Sequence, residues 1–278
     1  MRGQRAHLQS HPFKEIDTTS FWRECWSSVK EEERDVWFYL DERKFRYLLP
    51  ILPAGGKTLE VGCGSARLSR FLATAGFQVT GLDYEMGALR YARRAFGGDL
   101  VQADANRLPF RTGCFDVVLS TGLLEHFLDP SPIVVEMVRV LRPGGLFYSD
   151  IVPKKFSLLR SLDFLRLRRA HMFERPLSKC QIVSLLARAQ LIDARVFAAG
   201  IFLPRLPLVE RWPLTRQFQN RVAALVSGVN HHLDDTRLAE VLGVYYFTCA
   251  WKAPGSVNEG VCKWSTDARD QYGTGAST

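Results

Sequence analysis

No two of the six cysteines (Cys25, Cys63, Cys114, Cys180, Cys249 and Cys262) stand in a CxxC pair. That excludes a zinc ribbon or a thioredoxin-type centre. Six cysteines scattered over 278 residues are not the dense framework of a small secreted domain either, so a reducing compartment fits best. Apolar runs of membrane-spanning length, roughly 20 residues, are absent. The polar stretch from Met1 to Asp17 lacks the apolar centre of a signal peptide. A soluble, cytoplasmic protein is therefore expected. Blocks of like charge are missing as well. The formal net charge of +8 comes from dispersed basic residues, a mild preference for anionic surroundings rather than a nucleic-acid footprint.

What is present is a chain that is 46% hydrophobic and 24% charged, enough for one large domain with insertions. After a polar leader to about residue 18, Trp22, Trp26, Val29, Val36, Trp37, Leu40, Phe45 and Leu48 recur at roughly helical spacing. One or two amphipathic helices are expected before Pro50. Strands and helices then alternate. The pattern predicts strands over 58–61, 78–82, 100–103, 115–121 and 146–152. It predicts helices over 67–75, 85–95 and 132–141, the last stopped by Arg142-Pro143-Gly144-Gly145. This rhythm means a doubly wound α/β fold, a mostly parallel sheet with helices on both faces. A helix over 178–189, capped by Ser178, and strands over 193–202 and 244–251 follow. The domain is read as 50–253, with insertions at about 153–177 and 203–242, the latter helical over 210–231. Residues 1–49 form a leader and cap helices, and the polar tail 254–278 is expected to be disordered.

Three acids close successive strands. Glu60-Val61-Gly62-Cys63-Gly64-Ser65-Ala66 carries the first strand into the first helix, and its glycines allow a tight turn and close backbone approach. Asp83 ends the second strand, where an acid either hydrogen-bonds the two hydroxyls of a ribose or caps the next helix. Asp104-Ala105 follows the third strand. A carboxylate and the next N–H at this place either read the edge of an adenine or form a solvated loop. Adjacent strand ends share one rim, beside the crevice where such sheets bind ligands. A dinucleotide turn wants a third glycine where Arg67 stands, and Glu60 would repel a pyrophosphate. A cationic adenosine cofactor suits the carboxylates better.

The motifs Leu59-Glu60-Val61-Gly62-Cys63-Gly64, Val79-Thr80-Gly81-Leu82-Asp83 and Ala103-Asp104-Ala105 through Leu108-Pro109-Phe110 run in order over about a hundred residues. Phe115-Asp116-Val117-Val118, Leu124-Glu125-His126 and Leu141-Arg142-Pro143-Gly144-Gly145 complete the series. In this the chain resembles the class I S-adenosylmethionine-dependent methyltransferases of the UbiE-like (methyltransferase type 11) group. Ala66 replaces that family's usual third glycine. The resemblance implies a seven-stranded Rossmann-like sheet whose last strand is antiparallel, S-adenosyl-L-methionine as cofactor, S-adenosyl-L-homocysteine as product, and no metal. Carried over by motif, the backbone at Gly62 and Gly64, with the small Cys63 between them, lies against the methionine part and Glu60 supports its amino group. Asp83 and Tyr84 fall at the ribose, Asp104 and Ala105 at the adenine, and Ser120 and Thr121 at the methionine end.

Methyl transfer from a sulfonium is an in-line displacement in which alignment and desolvation do much of the work. Where a hydroxyl or amine acceptor needs a base, His126 after the fourth strand is the candidate; otherwise it only shapes its loop. His231-His232 with Asp234-Asp235 reads as a helix end and turn rather than a metal site. Ser120-Thr121-Gly122-Leu123-Leu124 lacks the Asn/Asp-Pro-Pro-Tyr motif of base and glutamine methylation, the Pro-Cys of 5-methylcytosine enzymes and the paired glutamates of protein arginine enzymes. A small-molecule or lipid-like acceptor is the default. RNA or protein methylation and a non-catalytic partner protein are the alternatives, and nucleic acid is disfavoured. The mixed apolar and basic stretch 156–169 is either a lid helix or a peripheral membrane contact.

Overall fold

A computed structural model of the protein describes residues 47–151, 175–199, 235–243 and 245–254, together with Trp22, Arg23, Trp26 and Leu233. In chain order the elements are β1 (Lys57–Val61), α1 (Arg67–Thr74), β2 (Gln78–Asp83), α2 (Met86–Ala92), β3 (Asp99–Gln102) and β4 (Phe115–Thr121). They continue with α3 (Ser131–Val140), β5 (Leu141–Ile151), α4 (Lys179–Arg188), β6 (Leu191–Ala199), α5 (Arg237–Leu242) and β7 (Tyr245–Lys252). The strands form one seven-stranded sheet in the order β3-β2-β1-β4-β5-β7-β6. Parallel pairs join β1 to β2 and β4, β2 to β3, and β4 to β5, while β7 runs antiparallel to both β5 and β6. This is the Rossmann-like arrangement the motifs imply, with the antiparallel last strand.

The inner strands β1, β2, β4, β5 and β7 are buried along most of their length because helices cover both faces, while the edge strands β3 and β6 are not. One core gathers Leu59, Val61, Val118, Ile133, Met137 and Ile182 on the side of α3 and α4. The other gathers Leu68, Leu72, Leu89, Val117 and Leu119 beneath α1 and α2. Val117 and Val118 thus serve opposite faces, as the two-residue period of a strand requires.

Progression along the sheet reverses between β1 and β4, where Val61 pairs with Ser120. The connections from these two strands leave in opposite directions and open a crevice at their carboxyl ends.

Several boundaries differ from the sequence reading. The helix expected over 85–95 ends at Ala92, beyond which Ala95 and Phe96 both donate to the Ala92 carbonyl in a tightening turn. Helix α3 stops at Val140 as its Pro-Gly-Gly signal predicts, but the signal itself is not a separate turn. It lies inside β5, which begins at Leu141, paired with Phe115, and a bulge absorbs the register shift before Val117. Glycine permits this, because a Cβ at Gly145 would stand 2.9 Å from the Asp116 carbonyl oxygen. The strand expected over 193–202 begins at Leu191 and is described as far as Ala199, with Asp193 at φ 52 in an irregular stretch. Ser178 caps α4 as expected, in a reciprocal capping box with Gln181. The expectations for 156–173, for the helix over 210–231 and for the tail from 255 fall outside the described residues.

Candidate functional site

At the carboxyl end of β1 the chain turns through Gly62 and Gly64, with φ of 69° and 50°. Left-handed backbone of this kind favours glycine. Space requires it too. A Cβ on Gly62 would lie 2.8 Å from Leu123 Cδ1, and one on Gly64 would lie 3.0 Å from Trp26 Cζ2. Ala66, the departure from the family pattern, is also left-handed at φ 53, so the turn survives without its third glycine. Left-handed geometry costs alanine roughly 1–2 kcal/mol.

Asp83 locks this turn to the next strand. One of its carboxylate oxygens accepts from the Gly64 N–H at 2.8 Å and the other from the Glu85 N–H at 2.9 Å. These bonds are local ones, between the β1 turn and the chain after β2. The Asp83 carboxylate does tie down the chain entering α2, and each oxygen keeps a lone pair for a ligand. Burial pushes its pKa above the ordinary carboxylate range against the pull of those N–H donors, and the neighbouring Glu85 carboxylate adds to the rise.

Glu60 is buried at 1% exposure below the turn, and its Oε2 accepts from both the backbone N–H (2.9 Å) and the hydroxyl of Ser69. It thus holds the first turn of α1, where a carboxylate satisfies an end N–H and complements the helix dipole. Cys63 donates its N–H to the Leu82 carbonyl, and its thiol packs on the Cα side of Gly81. Burial pushes that thiol's pKa up, with Glu60 and Asp83 adding to it, the opposite of an activated thiolate. Tyr84 projects its ring outward at 53% exposure, and its carbonyl accepts from Gln102 Nε2.

Asp104 is exposed, and its Oδ1 accepts from the Asn106 N–H and side-chain amide at 2.8 and 2.9 Å. Ala105 beside it is buried. The loop beyond is clamped from α3. Arg139 donates to the Leu108 and Phe110 carbonyls, and Glu136 accepts from the Leu108 N–H. The Arg139 hydrogen bond holds the Glu136 carboxyl below its ordinary range.

Across the crevice, Ser120 is fully buried and its hydroxyl meets that of Ser149 at 3.0 Å. The Ser120 side chain thus serves the sheet, which leaves its backbone for the rim. Gly122 donates its N–H to Asp150 Oδ1 at 2.8 Å. His126 closes the short 3-10 turn Leu124–His126 at 6% exposure, with the Trp22 ring edge-on to it at a centroid distance of 5.1 Å. Trp26, one helical turn from Trp22, reaches Gly64, Gly87 and Tyr91. The two tryptophans thus bridge the rim from the β4 loop to the β1 and β2 loops.

The sequence-predicted residues at the ends of β1, β2, β3 and β4 gather on one rim. Sequence reasoning missed Asp150, Glu85 and Leu123. Asp150 and Glu85 left only the weak signal of an acid next to a strand end, and Leu123 left none. Among the described residues no three His, Cys, Asp or Glu side chains converge as a metal site; His231, His232 and Asp234 lie outside them.

A family model described as a methyltransferase domain matches residues 59–149. The ubiquinone biosynthesis O-methyltransferase of Xanthomonas oryzae is 37% identical over 114 residues, 38% of this chain and 48% of that one. The phthiotriol/phenolphthiotriol dimycocerosates methyltransferase 1 of Mycobacterium ulcerans is 39% identical over 108 residues, 36% of this chain and 39% of that one. The chain thus spans less than half the length of these relatives. The solved phosphoethanolamine N-methyltransferase 2 of Haemonchus contortus, bound to S-adenosyl-L-methionine, shares the fold at a TM-score of 0.51 and 20% identity, covering 76% of this chain and 52% of that one. The strand order and the rim of motifs agree with these matches: residues 59–149 are similar to a methyltransferase domain, and the sheet has the Rossmann-like arrangement of the class I S-adenosylmethionine-dependent methyltransferases.

Proposed function

We propose that this protein binds S-adenosyl-L-methionine on the β1–β4 rim and transfers its methyl group to a small-molecule or lipid-like acceptor, releasing S-adenosyl-L-homocysteine. The observation that carries the reading is the Asp83 carboxylate pinned across the Gly62–Gly64 turn. It presents two fixed acceptors beside a glycine backbone on which Leu123 and Trp26 close in. Two ribose hydroxyls match those acceptors. Asp104 and the Ala105 N–H follow on the next strand, in place for an adenine edge.

The donor set fits a cation. Glu60 and Asp83 crowd the turn with negative charge, which suits a sulfonium and an amino group and disfavours a pyrophosphate. The cofactor supplies a methyl group on a positively charged sulfur, so the leaving group departs neutral. The chain's own work is to hold that sulfur in line with an acceptor and keep water away. Gly62 and Gly64 let the backbone approach, Trp22 and Trp26 cover the rim, and the carbonyls and N–H groups of Ser120 and Thr121 bound its far side. Beneath Trp22, His126 has the chemistry to take a proton from an acceptor hydroxyl. The apolar roof suits an aromatic or lipid-like acceptor, and relatives named for ubiquinone biosynthesis and for dimycocerosates favour the same class.

Release of S-adenosyl-L-homocysteine would be followed over a panel of quinols, phenols and hydroxylated lipids. Turnover with one acceptor class is expected. Tight cofactor binding without turnover on any of them, or turnover only on RNA or protein, would contradict the acceptor assignment. His126→Ala should lower turnover far more than cofactor affinity, and equal turnover in variant and parent would remove the base role. We further propose a cytoplasmic protein with peripheral membrane contact through 156–169, which co-sedimentation with anionic vesicles at physiological salt tests: vesicles that leave the protein in the supernatant would refute that contact.

A further inference from the structure

The first residues of β1, β2, β3 and β4 are Lys57, Gln78, Asp99 and Phe115. They meet at the rim opposite the candidate cofactor site, and all four line a cavity of about 680 Å³. Its apolar lining includes Ala73, Pro109 and the half-buried Phe110, with the core residues Phe77, Phe96 and Phe115 behind them and Phe110 edge-to-face on Phe115 at 5.0 Å. Three cations stand in its wall, Lys57, Arg70 and Arg111, against one carboxylate, Asp99. None of the three cationic side chains makes an ion pair with a described carboxylate. Asp116, next in sequence to the lining residue Phe115, is already engaged by the Lys57 backbone N–H and by Arg142.

An apolar-walled cavity with a surplus of unpaired positive charge at its mouth is complementary to one kind of ligand. Its body must be apolar, to cover the apolar wall around Pro109 and Phe110. Its head must be anionic, to meet guanidinium and ammonium groups as charge-assisted hydrogen-bond donors. The volume lies in the ordinary range for small-molecule pockets, about 300–1,000 Å³. Nucleic acid and inorganic phosphate satisfy the charge but leave the apolar wall uncovered.

We propose that this cavity is a second binding site, for an amphiphile with a carboxylate head and an apolar tail, of the fatty-acid class. It is separate from the cofactor rim. At β1 its five residues stand between the two, a rise of roughly 13 Å, while along β3 the lining reaches Val101, three residues before Asp104.

The test is titration of dodecanoate, below its micelle concentration, into the full chain by calorimetry. Parallel titrations use dodecyltrimethylammonium, which keeps the tail and inverts the head charge, and acetate, which keeps the head alone. One-to-one binding of dodecanoate is expected, with none of the other two. The pair Arg70→Gln/Arg111→Gln changes only exposed side chains, and should weaken dodecanoate binding about ten-fold or more. Ala73→Phe, placing a ring at the cavity wall from the exposed side of α1, should block it. Circular dichroism confirms that each variant is folded. Saturating S-adenosyl-L-homocysteine should leave dodecanoate binding unchanged. No binding, equal binding of the cationic amphiphile, indifference to the arginine pair, or competition by S-adenosyl-L-homocysteine would each overturn the assignment.

Discussion

Replacing Asp83 by asparagine separates the two tasks of that side chain. In the parent, its two carboxylate oxygens accept from Gly64 N–H at 2.8 Å and Glu85 N–H at 2.9 Å. An amide of the same shape has one oxygen and one NH₂ group, so one of these N–H donors must face another donor. Losing one hydrogen bond to a charged group costs about 1.5–3 kcal/mol. Burial already disfavours the charged carboxylate, as its raised pKa shows, so the neutral amide recovers part of that loss. A net destabilisation of about 1–2 kcal/mol follows for the unliganded domain. Cofactor binding suffers separately. Two ribose hydroxyls need two acceptors, and the amide offers one. Another 1.5–3 kcal/mol corresponds to about 10- to 150-fold weaker binding. Denaturant unfolding reads the first quantity and calorimetric titration of S-adenosyl-L-homocysteine the second. Asp83→Ala, which lacks any acceptor, should exceed Asp83→Asn in both. Parent-like affinity in the asparagine variant would refute the ribose role, even if stability fell as expected.

The raised pKa of Asp83 gives a pH prediction of definite sign. Cofactor affinity should be full above that pKa and fall as pH drops through it, at a pH above the usual carboxylate value of about 3.9. Stability of the unliganded domain should move the other way. A carboxyl whose pKa is higher folded than unfolded contributes stability below its unfolded pKa that is lost as pH rises through the folded one. Glu85→Gln should shift the affinity midpoint to lower pH, and an unmoved midpoint would show that Asp83 does not govern it. Gly62→Ala must hold a side chain at φ 69 and 2.8 Å from Leu123 Cδ1, so it should lose at least about 1–2 kcal/mol of stability. Leu123→Ala in the same chain should restore part of it, and strict additivity in denaturant unfolding would contradict the contact. Arg139→Gln releases the Leu108 and Phe110 carbonyls. Amide hydrogen exchange over 104–111 should accelerate and cofactor binding weaken several-fold; unchanged exchange at Leu108 would refute the clamp.

What could be read from the sequence was whatever depends on neighbours in the chain. β4 spans Phe115–Thr121 as its apolar run predicts, and Ser178 caps α4 as its local chemistry predicts. The Gly62–Gly64 turn, Asp83 and the Asp104 loop fall on one rim because strand order and parallel pairing leave them nowhere else. What escaped depends on partners distant in sequence. Arg142-Pro143-Gly144-Gly145 reads as a turn, and only the pairing of Leu141 with Phe115 makes it part of β5. Glu60 reads as a cofactor contact, and the structure adds Ser69, nine residues on, as its hydrogen-bond partner. Asp150 looks like an ordinary strand-end acid until Gly122 is found on it. The helical spacing of Trp22 and Trp26 predicted an amphipathic segment, but not that they would meet His126 and Gly64.

The most direct measurement is calorimetric titration of S-adenosyl-L-methionine into the purified full chain. The account predicts saturable one-to-one binding in the micromolar range, displaced by S-adenosyl-L-homocysteine. A well-folded protein that binds neither compound would contradict it.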